Sequence, residues 1–234
     1  MSPIGSVGRS VRGRRLPDEA EIIEHWSVDD LSAGFDEWVG RESGYVLDNF
    51  GSSYIEDGIN GNPSVLTDGV DDFLVNDNDI DLGSIDAEIT FVAAFEPLSP
   101  DQGYIFYQAE SGTFSNQEFS LFWDGDLDLG LAGEENSLNA SQEPTIISAT
   151  FSRPDLSGTV GTNGDELEGN VGDIDRDDPY GFYVGARGDD DNDITASAVH
   201  FEGYIGDIYV AKGENIRAYR ELTEANADKY SIET

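Results

Sequence analysis

The residues best equipped for chemistry in this chain are aspartates in three dense stretches: Asp77, Asp79 and Asp81; Asp173, Asp175, Asp177 and Asp178; and Asp189, Asp190, Asp191 and Asp193. Carboxylates spaced this closely offer hard oxygen donors, and a calcium ion gathers about 6–8 of them from a folded loop. The first stretch misses the EF-hand pattern, because Leu82 stands where the sharp turn needs glycine and Gly83 follows one place late. In so acidic a chain the spacing is unspecific, so a hydrated surface is the preferred reading for each stretch. One calcium ion in such a loop is the alternative, and no other cofactor is implied. Asp68, Asp71 and Asp72 read as turn formers whose side chains accept hydrogen bonds from local backbone.

Other chemistries find less support. Cysteine is absent, which excludes disulfides, thiolate catalysis and cysteine-ligated zinc. His25 and His200 have no accompanying G-x-S-x-G pattern, so each reads as a structural or rim histidine. Glycan binding needs an exposed aromatic ring beside polar side chains that fork onto hydroxyl groups. The candidates are Trp38, Tyr45, Tyr54 and Phe114, with Arg187 beside Asp189, Asp191 and Asp193; core packing is the competing reading for each ring. The sequon Asn139-Ala140-Ser141 carries almost no weight.

Charge frames these candidates. The 234 residues hold 49 acidic and 12 basic side chains, a formal net charge of -37. Such self-repulsion opposes compaction unless it is screened. The Debye length falls from about 10 Å at 0.1 M salt to about 3 Å at 1 M, so a halophilic protein is expected. Folded against such a surface, bare nucleic acid and anionic membrane would be repelled. Residues 1–17 run the other way, with Arg9, Arg12, Arg14 and Arg15 and no acid. The expected organisation is a basic N-terminal arm over 1–18, available for docking to an acidic partner, and one domain over 19–234. No apolar stretch follows the arginines, so no signal peptide is expected, and no run of about 20 apolar residues marks a membrane span.

The elements that must position these residues are mostly strands. In "DAEITFVAAF", Ile89, Phe91, Ala93 and Phe95 share one face, and in "DGDLDLGLAG" the leucines alternate with Asp126, Asp128 and Gly130. Further strands are expected at "GYIFYQA", "EFSLFW", "TIISATF", "GFYVGAR" and "HFEGYIGDIYVA". Asn163-Gly164 marks a type I' hairpin. Near residue 22 an opening strand leads to a helical turn capped at Ser27 or Asp29. In the last strand Phe201 and Ile205 fit one face while Ile208 and Val210 have the opposite parity, so a β-bulge near Gly206-Asp207 is expected to bring all four to the core. A C-terminal helix over 214–230 offers Ile216, Tyr219, Leu222 and Tyr230 as its packing face. The fold class is therefore all-β: an antiparallel two-sheet sandwich with one terminal helix.

Taken in order, "HWSVDDLS", "GINGNPSVLTDGVDDFLVND", "EITFVAAFEP", "GYIFYQ", "TIISATFSRPDLSGTVGTNGDEL", "GFYVGARG", "FEGYIGDIYVAKG" and "RAYRELTEANADKYSI" resemble the concanavalin A-like (laminin-G-like) jelly-roll modules of tail fibres and surface proteins of tailed viruses. The resemblance covers roughly residues 20–232. It implies two face-to-face sheets and mainly carbohydrate or protein binding without catalysis, although some relatives bind calcium at a rim and others hydrolyse glucans. Glucan-hydrolysing relatives carry a Glu-x-Asp-x-(x)-Glu strand, and no segment here matches it; "DGDLDLG" and "DIDRDD" lack the glutamate partner. Together with charge and arm, the resemblance implies a non-enzymatic virion protein of a salt-loving archaeal virus, a capsid or tail decoration or receptor-binding knob. It would be a homo-oligomer, attached to other virion proteins through the arm and to host glycan or glycoprotein through the sandwich. A halophilic glycoside hydrolase of the same sandwich class is the alternative.

Overall fold

The computed structural model describes residues 21–76, 88–101, 103–110, 117–124, 127–131, 134–138, 142–152, 157–163, 165–170, 179–187, 199–212 and 216–233. Two antiparallel sheets and one α-helix emerge, as the alternation and the single helical pattern require. The first sheet orders β14 (Asp165–Asn170), β13 (Ser157–Thr162), β12 (Thr145–Ser152), β7 (Glu88–Pro97), β16 (Glu202–Lys212), β5 (Ser64–Asp68) and β4 (Ser53–Ile55), and β1 (Glu21–Trp26) also pairs with β16. The second orders β11 (Glu134–Leu138), β10 (Leu127–Leu131), β9 (Gln117–Trp123), β8 (Gly103–Glu110), β15 (Pro179–Val184), β6 (Phe73–Asn76), β3 (Val46–Phe50) and β2 (Glu37–Val39).

The inner faces meet in one aromatic-rich core. Ile89, Phe91, Ala93 and Phe95 all lie in it, as their alternation demands. Phe91 meets Phe106 edge-on with ring centres 4.2 Å apart, and Trp26 stacks on Phe182 at 6.0 Å. Trp38 is also fully buried here, its indole N–H donating to the Ser27 carbonyl at 3.0 Å. That corrects the expectation of a ligand-binding Trp38: a ring wholly enclosed by the core offers no face to a sugar.

The expected bulge is present. The register of β16 against β7 shifts between Ile205 and Ile208, and Phe201, Ile205, Ile208 and Val210 all reach the core. The bulge is also where β16 changes its second neighbour, pairing with β5 through Ile205 and with β1 from Ile208 onward. The Asn163-Gly164 hairpin joins Thr162 to its partner Asp165, with Asn163 at φ 48°. Helix α1 (Ile216–Tyr230) lies on the outer face of the first sheet, where Leu222, Ala227 and Tyr230 pack with Val92, Ala94, Ile146 and Tyr209.

Two buried carboxylates tie the start of the chain to this frame. Glu24 is fully buried, and its oxygens accept from the backbone N–H groups of His25, Glu42, Ser43 and Tyr45 at 2.8–3.2 Å, shaping the 41–45 loop. Asp207, at the bulge, accepts from Lys229 Nζ at 2.9 and 3.0 Å, Val28 N at 2.9 Å and Ser27 Oγ at 3.3 Å, with His25 Nε2 at 3.4 Å. Burial raises the Asp207 carboxyl, but hydrogen bonding to His25 and the charge of Lys229 outweigh it, and the group ends below its ordinary range. The turn after β1 is a 3₁₀ turn (Val28–Asp30) preceded by Ser27, whose hydroxyl serves Asp207 and not the turn's own backbone.

Candidate functional site

The outer faces of the two sheets differ. The first is covered by α1, whereas the second carries a row of rings. Phe50 of β3 and Phe73 of β6 are paired neighbours, stacked at 4.8 Å and 5° from parallel. Tyr183 of β15 and Tyr107 of β8 continue the row, and Tyr104 and Phe122 follow at 4.8 Å from each other. Cross-strand register causes this: residues paired on adjacent antiparallel strands project to the same face, so the pairs Phe50–Phe73, Tyr183–Tyr107 and Tyr104–Phe122 line the outer face. Strand β8 supplies both Tyr107 and Tyr104 because its register shifts between Tyr104 and Phe106. Phe50 is 42 % exposed, Tyr104 and Phe122 are half-buried, and Phe73, Tyr107 and Tyr183 are buried.

Polar groups flank the row at one pole of the sandwich. Arg187 places its guanidinium 5.9 Å from the Tyr104 ring centre and 5.8 Å from that of Tyr107, within cation–π range. His200 bridges to Tyr104 and lies 6.1 Å from the Phe73 ring. The crossing is locked by backbone bonds from Gly185 N to Ile105 O and Phe201 N to Gly185 O, and by Thr67 Oγ1 to Phe201 O. Gly103 is required beside it, since a Cβ there would collide with the Phe201 backbone and the His200 carbonyl.

The β5–β6 turn completes the pole. Asp68 Oδ1 accepts from the N–H groups of Val70, Asp71 and Asp72 at 2.8, 3.2 and 3.4 Å, the Asx-type role expected of it. Burial raises the Asp68 carboxyl, yet these three donors outweigh it and hold the group below its usual range. Asp72 moves the opposite way, raised by burial and then by the charges of Asp68 and Asp71. Oxygens of the three carboxylates lie within 4.8 Å of one another, a donor set of the right hardness for a cation. The three aspartate stretches considered for calcium, over 77–81, 173–178 and 189–193, all lie outside the described residues, and the sequence reads Asp68, Asp71 and Asp72 mainly as turn formers.

The remaining candidates separate. Arg187 stands on the ring row, while Tyr54 sits half-buried on β4, the edge strand of the other sheet, and Tyr45 packs against the core. Phe114 and the arm residues Arg9, Arg12, Arg14 and Arg15 also lie outside the described residues. His25 is buried, stacked on Tyr209 at 4.0 Å, and structural. Sequence reasoning missed Phe50, Phe73, Tyr104 and Phe122 as a set. Tyr104 and Phe122 fall in strands expected from the sequence, whereas no strand was expected for Phe50 on β3, and only the strand order aligns the set.

No family model and no curated protein sequence matches the chain. Solved structures do match in shape. Trypanosoma rangeli sialidase in complex with the inhibitor DANA aligns at TM-score 0.66 with 14% identity, over 95% of this chain and 35% of that one. The same enzyme with sialic acid aligns at TM-score 0.66 with 14% identity, over 91% and 34%. A point mutant of a protein named HCR/D aligns at TM-score 0.60 with 11% identity, over 88% and 52%. The chain thus spans about a third of the sialidases' length and about half of HCR/D's. At these identities the likeness establishes the fold, a two-sheet antiparallel β-sandwich.

Proposed function

We propose that the protein is a non-enzymatic attachment module that binds glycan or glycoprotein on a host surface, carried on a virus particle in a high-salt environment. The ring row that ends in exposed Phe50, flanked by Arg187 and His200, is the observation behind this reading. Ring faces match the apolar C–H faces of a pyranose, and the flanking side chains match its hydroxyl groups. Similarity in shape to sialidase structures that hold sialic acid and DANA adds support at the level of fold. The basic arm would hold the module to the particle, and many copies would turn a weak contact into firm attachment through effective concentration. Glycan-array binding in molar KCl tests this. Phe50→Ala and Arg187→Ala are expected to lower binding about tenfold or more, within the ~1–3 kcal/mol that one stacking or charged contact supplies. Absence of binding to any host envelope glycan or glycoprotein would remove the reading.

A glycoside hydrolase is the second reading, favoured by the opposed shifts of Asp72 and Asp68, since carboxylates pushed apart in pKa are a mark of acid and base roles. Against it, Asp68 Oδ1 is already committed to three backbone donors, and the carboxylates lie closer than the ~5–5.5 Å of a retaining pair. A reducing-sugar assay in molar KCl decides, with Asp72→Asn as the control that must abolish any activity found.

A further inference from the structure

Helix α1 turns one stripe toward the first sheet. Leu222, Thr223, Asn226, Ala227 and Tyr230 are buried while Arg220, Glu224 and Asp228 are exposed, the spacing of a helix with one covered face. Leu222, Ala227 and Tyr230 suit the apolar outer face built by Val92, Ala94, Ile146 and Tyr209. Thr223 and Asn226 do not. They are 4 % and 1 % exposed, and Thr223 Oγ1, Asn226 Oδ1 and Asn226 Nδ2 meet no hydrogen-bonding group among the described residues.

Polar side chains on the outer face of the sheet bond within the sheet. Ser148, the cross-strand partner of Val92, donates to the Gly161 carbonyl at 3.2 Å, and the paired Thr90 and Thr150 hydroxyls lie 3.3 Å apart. The last turn of the helix is bonded directly. Asp207 N donates to Tyr230 Oη at 2.8 Å, and Asn60 Nδ2 donates to the Tyr230 carbonyl at 2.9 Å. Thr223 and Asn226, in the middle, would be costly if dry: each buried polar atom without a partner lowers the folding constant roughly 5- to 150-fold, and three together at least about 100-fold. Folded proteins meet such groups with a partner or with buried solvent. The chemistry of the three atoms selects the occupant. The Asn226 amide offers an acceptor and N–H donors side by side, and the Thr223 hydroxyl, three residues away on the same helical face, adds one of each. A cation answers only the oxygens and an anion only the N–H and O–H groups, whereas water both donates and accepts.

We propose that Thr223 and Asn226 form a buried water-binding site between α1 and the outer face of the first sheet. Water held there fixes how the helix sits, because hydrogen bonds are directional and the contacts of Leu222 and Ala227 with the sheet are not. The site lies on the sheet opposite the ring row and does not depend on glycan binding.

Crystals of the full chain, soaked in rubidium bromide, test the site and its occupant together. Electron density within hydrogen-bonding distance of Asn226 Oδ1 or Nδ2 and of Thr223 Oγ1 is expected, with no anomalous signal there, since rubidium and bromide scatter anomalously and water does not. Absence of density overturns the proposal. An anomalous peak at the site also overturns it, by naming an ion as the occupant. Urea unfolding in molar KCl gives a second reading from the paired variant Thr223→Val with Asn226→Leu, which removes all three polar atoms. Where water already satisfies them, the folding constant rises by less than about 100-fold; a larger rise is the release expected of three dry atoms and overturns the proposal. The crystal measurement needs no variant, so it decides even where the paired variant fails to fold.

Discussion

Replacing Asp207 tests whether one buried carboxylate holds the last helix to the first strand. In Asp207→Ala the Val28 N–H loses its 2.9 Å acceptor in a buried place, Ser27 Oγ and His25 Nε2 lose theirs, and Lys229 loses two short contacts. An orphaned buried donor costs about 1–3 kcal/mol, and breaking a buried ion pair about 3–5 kcal/mol. The upper value is reduced here because Lys229 keeps Asp29 Oδ2 at 3.1 Å and is itself partly exposed. A loss of about 3–4 kcal/mol is expected, and about 1–2 kcal/mol for Asp207→Asn, which retains an acceptor for Val28. For a chain of this size 3 kcal/mol corresponds to a fall in Tm of roughly 6–12 °C. Urea unfolding in molar KCl measures it, and pairing Asp207→Ala with Lys229→Met in a double-mutant cycle isolates the ion pair. A loss below about 1 kcal/mol for Asp207→Ala would refute the assignment of Asp207 as the hub.

The same carboxylate sets an acid limb. Its folded pKa lies below the unfolded one, so its stabilisation is complete above the ordinary aspartate value of about 4 and is lost as pH falls through the depressed folded value; Asp207→Asn should flatten that part of a stability-versus-pH curve. Glu24→Ala removes the acceptor of four backbone N–H groups and should cost about 2–4 kcal/mol, with faster amide exchange at Glu42, Ser43 and Tyr45. Trp38→Ala should cost about 3–5 kcal/mol in unfolding experiments while sparing glycan affinity, the reverse of Phe50→Ala. Gly103→Ala should destabilise by about 1–3 kcal/mol and displace the His200 crossing, seen as altered His200 imidazole resonances.

How far the chain could be read before folding differs by element. The period of two in Ile89, Phe91, Ala93 and Phe95 assigned their face, and the parity slip between Ile205 and Ile208 located the bulge, because both depend only on the alternation of the pleat. The Asn163-Gly164 hairpin and the Asp68 turn were equally visible, being made within a few residues of chain. Trp38 was misread because composition ranks a tryptophan as core or surface only on average, and its enclosure depends on Ser27 and the inner faces of both sheets. Tyr54 and Arg187 were grouped as candidates, yet Tyr54 lies on β4 of the first sheet whereas Arg187 stands over Tyr104 and Tyr107 of the second.

By itself the sequence determined the longer strands and their inward faces, the bulge, the terminal helix and the sign and imbalance of the charge, all of which are local or additive properties, but not the short strands β2, β3, β4 and β11. Tertiary structure alone decided which acids are buried. Glu24 and Asp207 look like any others among 49; apart from the His25 N–H beside Glu24, their donors come from chain segments 18 to 182 residues away. It also decided which rings form a row, since strand order and register are long-range choices made by packing two sheets against each other.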